Sequence, residues 1–172
     1  MHNDVNIRSA KFLLARTVAT CRFCGALTPL AALVVPPGHM ALELDDETQD
    51  EQRAVDAWRI ATGSAFIFFV EFIPPAVQRR LQQFTRLYRL NGEPGAASYW
   101  ANHCERCDGS IDDNELHCEP DGAFVPTTPE SATLIHLATI EQAFEAAAGG
   151  YAYEPAWFGA MRQDAGSWPS TT

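Results

Sequence analysis

The chain has 172 residues, enough for one domain with a hydrophobic core, and its 47% hydrophobic and 10% aromatic content is ordinary globular usage. Twelve basic against 22 acidic residues give a formal net charge of −10, which repels phosphate backbones and counts against general nucleic-acid binding. No stretch approaches the ~20 apolar residues of a membrane span, and Phe12-Leu13-Leu14-Ala15 is too short for a signal-peptide core, so a cytoplasmic location is expected.

In chain order, residues 11 to 19 read as a strand running into the pair Cys21-Arg22-Phe23-Cys24, and Pro29 to Val35 leaves it, which makes a hairpin with the cysteines at its tip. A third short strand is expected over His39 to Leu44. The acidic run that follows, with Glu43, Asp45, Asp46, Glu47, Asp50 and Glu51, reads as an exposed loop. It passes into a short helix over Arg53 to Ile60 with Trp58 and Ile60 turned inward. Phe66 to Phe72, bounded by Gly63-Ser64 and Pro74-Pro75, suits a buried strand. A helix then starts with Pro75 in its first turn, and Val77, Leu81, Phe84 and Tyr88 form one apolar stripe opposite Arg79, Arg80, Gln83 and Arg86.

Asn91 to Gly95 is a turn cluster, and Ser98 to Ala101 leads as a strand into a second pair, Cys104-Glu105-Arg106-Cys107, with Glu115 to Cys118 leaving it. Gly122 to Pro126 reads as extended. Thr128-Pro129-Glu130 has the form of a helix start, with the helix covering 129 to 136 and continuing as strand or helix to Ala148, where Gly149-Gly150 ends the segment. Residues 1 to 165 are thus read as one domain and 166 to 172 as a flexible tail.

The two Cys-x-x-Cys pairs spell the ligand set of a tetrahedral zinc site, because a two-residue gap lets both sulfurs of a tight turn reach one ion while backbone N–H groups point at the sulfurs. Gly25 after the first pair and Asp108-Gly109 after the second supply residues that tolerate the turn. Cys21, Cys24, Cys104 and Cys107 are therefore the expected ligands of one structural Zn²⁺. Residues 25 to 103 lie between the knuckles, so the metal would clamp distant parts of one domain. Of the remaining candidates, Cys118 reads as a small buried apolar residue, and His103 as a packing or hydrogen-bonding neighbour of the site. His117 and Cys118 would face opposite ways on a strand. Tyr99, Trp100 and Phe124 with Asn102, His103 and His117 could line a groove beside the metal, although packing beneath the intervening segment is the more economical reading. Asp45-Asp46 and Asp112-Asp113 follow no calcium-loop pattern, and no phosphate-binding glycine loop, nucleophile elbow or His-Glu-x-x-His occurs.

The stretch Tyr99 to Cys107, followed by Leu116 to Pro120 and Gly122 to Phe124, resembles a group of small uncharacterised bacterial proteins in which a Tyr-Trp-x-Asn-His-Cys-x-x-Cys segment pairs with an N-terminal Cys-x-x-Cys. The resemblance implies a bacterial, zinc-binding domain and carries no activity. The expected fold is α+β: a split zinc ribbon of two hairpin knuckles joined to a small, mainly antiparallel sheet with one or two packed helices. The expected function is a non-catalytic binding module with a protein partner. One alternative is a zinc enzyme with an open coordination position and His103 or Glu105 as base. Another is a nucleic-acid-associated regulator using Arg79, Arg80, Arg86 and Arg89.

Overall fold

The computed structural model describes residues 4–43, 57–92 and 98–164. The acidic run from Asp45 onward, the turn residues 93–95 and the tail lie outside these, as do residues 53–56 of the expected helix. The strands are β1 (Ile7–Ser9), β2 (Phe12–Thr20), β3 (Leu27–Val35), β4 (Met40–Glu43), β5 (Ala57–Ile60), β6 (Ala65–Phe72), β7 (Tyr88–Leu90), β8 (Trp100–His103), β9 (Ser110–Ile111), β10 (His136–Ile140), β11 (Phe144–Tyr153) and β12 (Arg162–Gln163). Three short helices, α1 (Pro75–Gln82), α2 (Asp113–His117) and α3 (Pro129–Ala132), interrupt them. One open mixed sheet runs β12-β10-β2-β3-β6-β11-β1-β4-β5, with β8 joined to β6 and flanked by β7 and β9. Only the β10–β12 pair is parallel among the described residues.

The central strands are apolar on both sides because both faces of the sheet are covered. Phe12 and Leu14 of β2 with Leu33 and Val35 of β3 enter one cluster, which Val77 and Leu81 of α1 close. Leu13, Ala15, Leu30, Ala32 and Val34 enter the other, beneath Leu116, Phe124, Ile135 and Met161. Period-two alternation thus sorts side chains between two cores instead of between core and water, which is why these strands read as unbroken apolar runs. In α1, Val77 and Leu81 are one turn apart and buried, with Pro75 opening the helix. The helix stops at Gln82, so Phe84 completes the apolar stripe from the following turn and Tyr88 from β7.

Several elements differ from the sequence expectation. Residues 57–60 form β5, not helix, because they pair along β4. Ile60 is 72% exposed there, while Trp58 is half-buried beneath the Arg8 guanidinium. Glu115 to Cys118 is not a strand. Asp112 accepts the Asn114 N–H at 2.8 Å and caps α2, whose Leu116 is buried, while the strand leaving the second knuckle is the shorter β9. Gly122 to Pro126 is a set of turns, with Val125 N–H bonded to Gly122 O. Thr128 does cap a helix, in a reciprocal box with Ser131, but that helix ends at Ala132.

The chain returns as β10, which pairs with β2, and β11, which pairs with β6 and β1, and Gly149-Gly150 lies inside β11 instead of ending a segment. Opposite it, Phe69 of β6 adopts φ +48° and the β11–β6 register shifts between Ala147 and Ala148. A Cβ on Gly150 would stand 2.1 Å from the Phe68 ring, so glycine is what lets the β6 aromatics lie across β11.

Candidate metal centre

Two similarly built turns carry the cysteines. Cys21 follows β2 directly: its N–H donates to Ala26 O and its carbonyl accepts the Gly25 N–H, with Gly25 at φ +72°. At Cys104, which follows β8, the N–H donates to Gly109 O and the carbonyl accepts the Asp108 N–H, with Asp108 at φ +60°. The offsets are the same in both. The left-handed residue of the second knuckle is therefore Asp108, one of the non-glycine types that tolerate this conformation. Its carboxylate is held 2.6 Å from Arg89 Nη2, which lowers its pKa.

Tertiary contacts bring the turns together across the intervening chain. Asn102, buried on β8, accepts the Ala31 N–H at 2.8 Å and donates to Ala31 O at 2.9 Å, so one side chain completes the β3 edge that β6 leaves unpaired. The buried Thr28 Oγ1 accepts the Glu105 N–H at 3.0 Å, tying the outgoing strand of one knuckle to the loop of the other. Phe23 of the first knuckle lies over Gly109 of the second, where a Cβ would stand 2.9 Å from its ring. Arg22 Nη1 lies 3.3 Å from Glu115 Oε2, an oxygen that has no hydrogen bond, and fastens the first knuckle to α2.

The result is four sulfurs within 4.8 Å of one another, with Cys21–Cys107 at 3.7 Å and Cys24–Cys104 at 3.6 Å. A tetrahedron with metal–sulfur bonds of ~2.3 Å has sulfur–sulfur edges of about 3.8 Å, so the spacing suits one zinc-sized ion and is far too long for a disulfide. Backbone N–H groups of Cys107 and Arg106 aimed at the Cys104 sulfur lower its pKa to about 6, favouring the thiolate that a metal requires. Cys107 receives the Gly109 N–H, but desolvation and the neighbouring thiols outweigh it and push its pKa up to about 11. Four thiols this close cannot all ionise without a cation among them. The set fits a bound Zn²⁺, which would supply a cross-link between the two turns.

The other candidates stand apart from the sulfurs. His103 Nδ1 faces the carbonyls of Ala101 and Leu87, at 3.1 and 3.3 Å. His117 is sandwiched between Phe68 and Phe124, with ring centroids at 4.7 and 5.1 Å, and burial drops its pKa to about 3. Cys118, expected to be buried, is exposed, because it ends α2 instead of lying in a strand. No groove gathers the aromatics beside the metal: Trp100 and Phe124 are buried in the clusters on opposite faces of the sheet. Among the basic residues of 79–89, Arg80 lies over Phe84 and Arg89 pairs with Asp108.

Asp113 was not distinguishable from a loop acid in sequence. It is 1% exposed, its Oδ2 accepts the N–H of the strained Phe69 at 2.8 Å, and its Oδ1 has no hydrogen-bond partner. Burial raises its pKa to about 7. The acid that accepts the Phe69 N–H thus holds its proton well above the usual carboxylate range.

No described helix is long and apolar enough to cross a membrane. No family model, curated protein or solved structure matches this chain, and the resemblance carried by Tyr99 to Cys107 gains no support from them.

Proposed function

We propose that this chain is a non-catalytic binding module for a protein partner, in which Cys21, Cys24, Cys104 and Cys107 hold one structural Zn²⁺ that clamps residues 1 to 165 into a single domain. The observation that carries the reading is the closed geometry of the four sulfurs, set by two matched turns with buried ties between them. Four thiolates fill a tetrahedral shell and leave no position for water, so a zinc held this way acts on the scaffold and not on a substrate. The hairpin-borne knuckles support the split-ribbon description. Against an open-site enzyme with His103 as base stand the carbonyls of Ala101 and Leu87 that its Nδ1 faces. Net charge −10 and the Arg89–Asp108 pair weigh against a nucleic-acid role for the Arg79 to Arg89 segment.

Metal quantification on Cys21→Ser and Cys104→Ser side by side tests the shared site. Both variants should lose about one equivalent of zinc and the stability that goes with it, since structural zinc contributes on the order of 10 kcal/mol or more. If one variant keeps its metal, the pairs do not share an ion. Turnover on any substrate by the wild-type protein would sink the non-catalytic part.

A further inference from the structure

Beyond the metal, the sheet has an edge next to the first knuckle that is unpaired among the described residues. β10 pairs with β2 only from Phe12 to Arg16, whereas β2 runs on to Thr20 and stays paired with β3 on its other side. The chain leaves the β2 edge here because α3 ends with Leu134 N–H bonded back to Ser131 O. Two sets of bonds fix which groups face the vacated edge. Cys21 N–H bonds to Ala26 O, so in the antiparallel ladder the odd residues of β2 turn toward β3. The carbonyls of Ile135 and Leu137 accept from Arg162 and Asp164, so the even residues of β10 turn toward Arg16, Leu14 and Phe12. Both assignments leave the backbone N–H and C=O of Val18 and Thr20 pointing outward. Val18 is 58% exposed, and neither residue carries a charge that would guard an open edge.

A cleft lies on each side of this edge. On the side of Leu116 and Ala123 it measures about 450 Å³ and presents Glu115, Glu119 and Asp121. On the side of Arg16 and His136 it measures about 380 Å³ and presents the apolar surface of Val18 and the 66% exposed Leu134. A strand added to the edge sends alternate side chains into the two clefts.

We infer that Thr17 to Thr20 of β2 accept an extended segment of a partner protein as an added strand, with Lys or Arg side chains reaching the acidic cleft and apolar ones resting on Val18 and Leu134. The inference rests on the protein-binding reading above and names the partner's chemistry. Charge selects the occupant: with Glu115 already paired to Arg22, the cleft still presents Glu119 and Asp121, and a second copy of this chain would bring the same two carboxylates against them.

The test titrates isotope-labelled, zinc-loaded protein with an acetylated, amidated peptide of alternating Lys and Val, following amide resonances. Expected are shifts centred on Val18 and Thr20, and binding weakened roughly tenfold by N-methylating the edge-facing peptide amides, about what a lost hydrogen bond removes. The exposed change Glu119→Lys should weaken binding by a similar factor, and a Glu-Val peptide should not bind. Absence of shifts at millimolar peptide, equal binding of the N-methylated peptide, or an edge-to-edge dimer of the chain itself would each overturn the proposal. A protein ligand with its footprint elsewhere on the labelled chain would overturn this edge while leaving the binding-module reading in place. Loss of that reading instead follows from turnover or from an unshared metal site.

Discussion

His117→Phe should make the fold less sensitive to acid. In the native state the imidazole lies between Phe68 and Phe124, nearly parallel to both at interplanar angles of 8° and 17°, and its pKa is about 3 because burial disfavours the cation. An unfolded histidine titrates near ~6.5. The folded pKa of this base is depressed, so its contribution is fully present above pH ~6.5 and is lost as pH falls toward 3, where the unfolded chain binds a proton that the native chain refuses. At ~1.36 kcal/mol per unit, the loss reaches about 2 kcal/mol at pH 5 and about 5 kcal/mol when the native imidazole itself titrates. A phenyl ring keeps the stack without the proton. Urea unfolding of both proteins at pH 8 and pH 5 isolates this amount, because the acid sensitivity of the four thiols is common to both and cancels in the double difference. The reasoning is refuted if wild type and variant lose equal stability between the two pH values.

Asp113→Asn should act in the opposite direction. The native carboxyl holds its proton up to about pH 7, so wild-type stability falls as pH rises from ~4 toward 7, by up to about 4 kcal/mol, and the amide should flatten that slope while still accepting the Phe69 N–H. Stability curves over that interval, taken on the two proteins in parallel, check it. Asn102→Ala should cost about 2–4 kcal/mol, because it strands both the N–H and the carbonyl of buried Ala31. Since Asn102 joins the elements bearing the two knuckles, the same variant should surrender its zinc faster to a chelator, measured as release kinetics; unchanged release would mean that the turns are positioned without it.

The parts of the fold that were legible from sequence are those whose causes are local. β6 announces itself as an apolar, aromatic-rich run between Gly63 and Pro74, β2 and β3 as apolar runs on either side of the first cysteine turn, and the two cysteine turns by spacing and by Gly25. β11 is hidden because Glu145 to Gly150 is rich in Ala and Gly, residues with little strand preference of their own; the aromatic side chains of β6 lying across it supply what its composition lacks. α2 is not legible in the sequence because a single turn offers no periodicity, and its signal is the Asp112 cap, which resembles a loop acid. The four-cysteine cluster is legible at the level of its sulfurs and not of its supports. Nothing in the one-dimensional pattern says that Asn102 bonds to Ala31, or Thr28 to Glu105, since those ties exist only after the register of β3 against β8 is set. Trp100 illustrates the same limit: next to a cysteine turn it looks like a contact residue, yet it is 6% exposed and belongs to the α1 side of the core.

X-ray absorption at the zinc edge on the purified, metal-loaded protein addresses the four-cysteine centre most directly. A single shell of four sulfurs at ~2.3 Å with one zinc per chain is the result expected from the sulfur positions. A shell of three sulfurs and one oxygen, or a chain that folds fully with no metal bound, would contradict it.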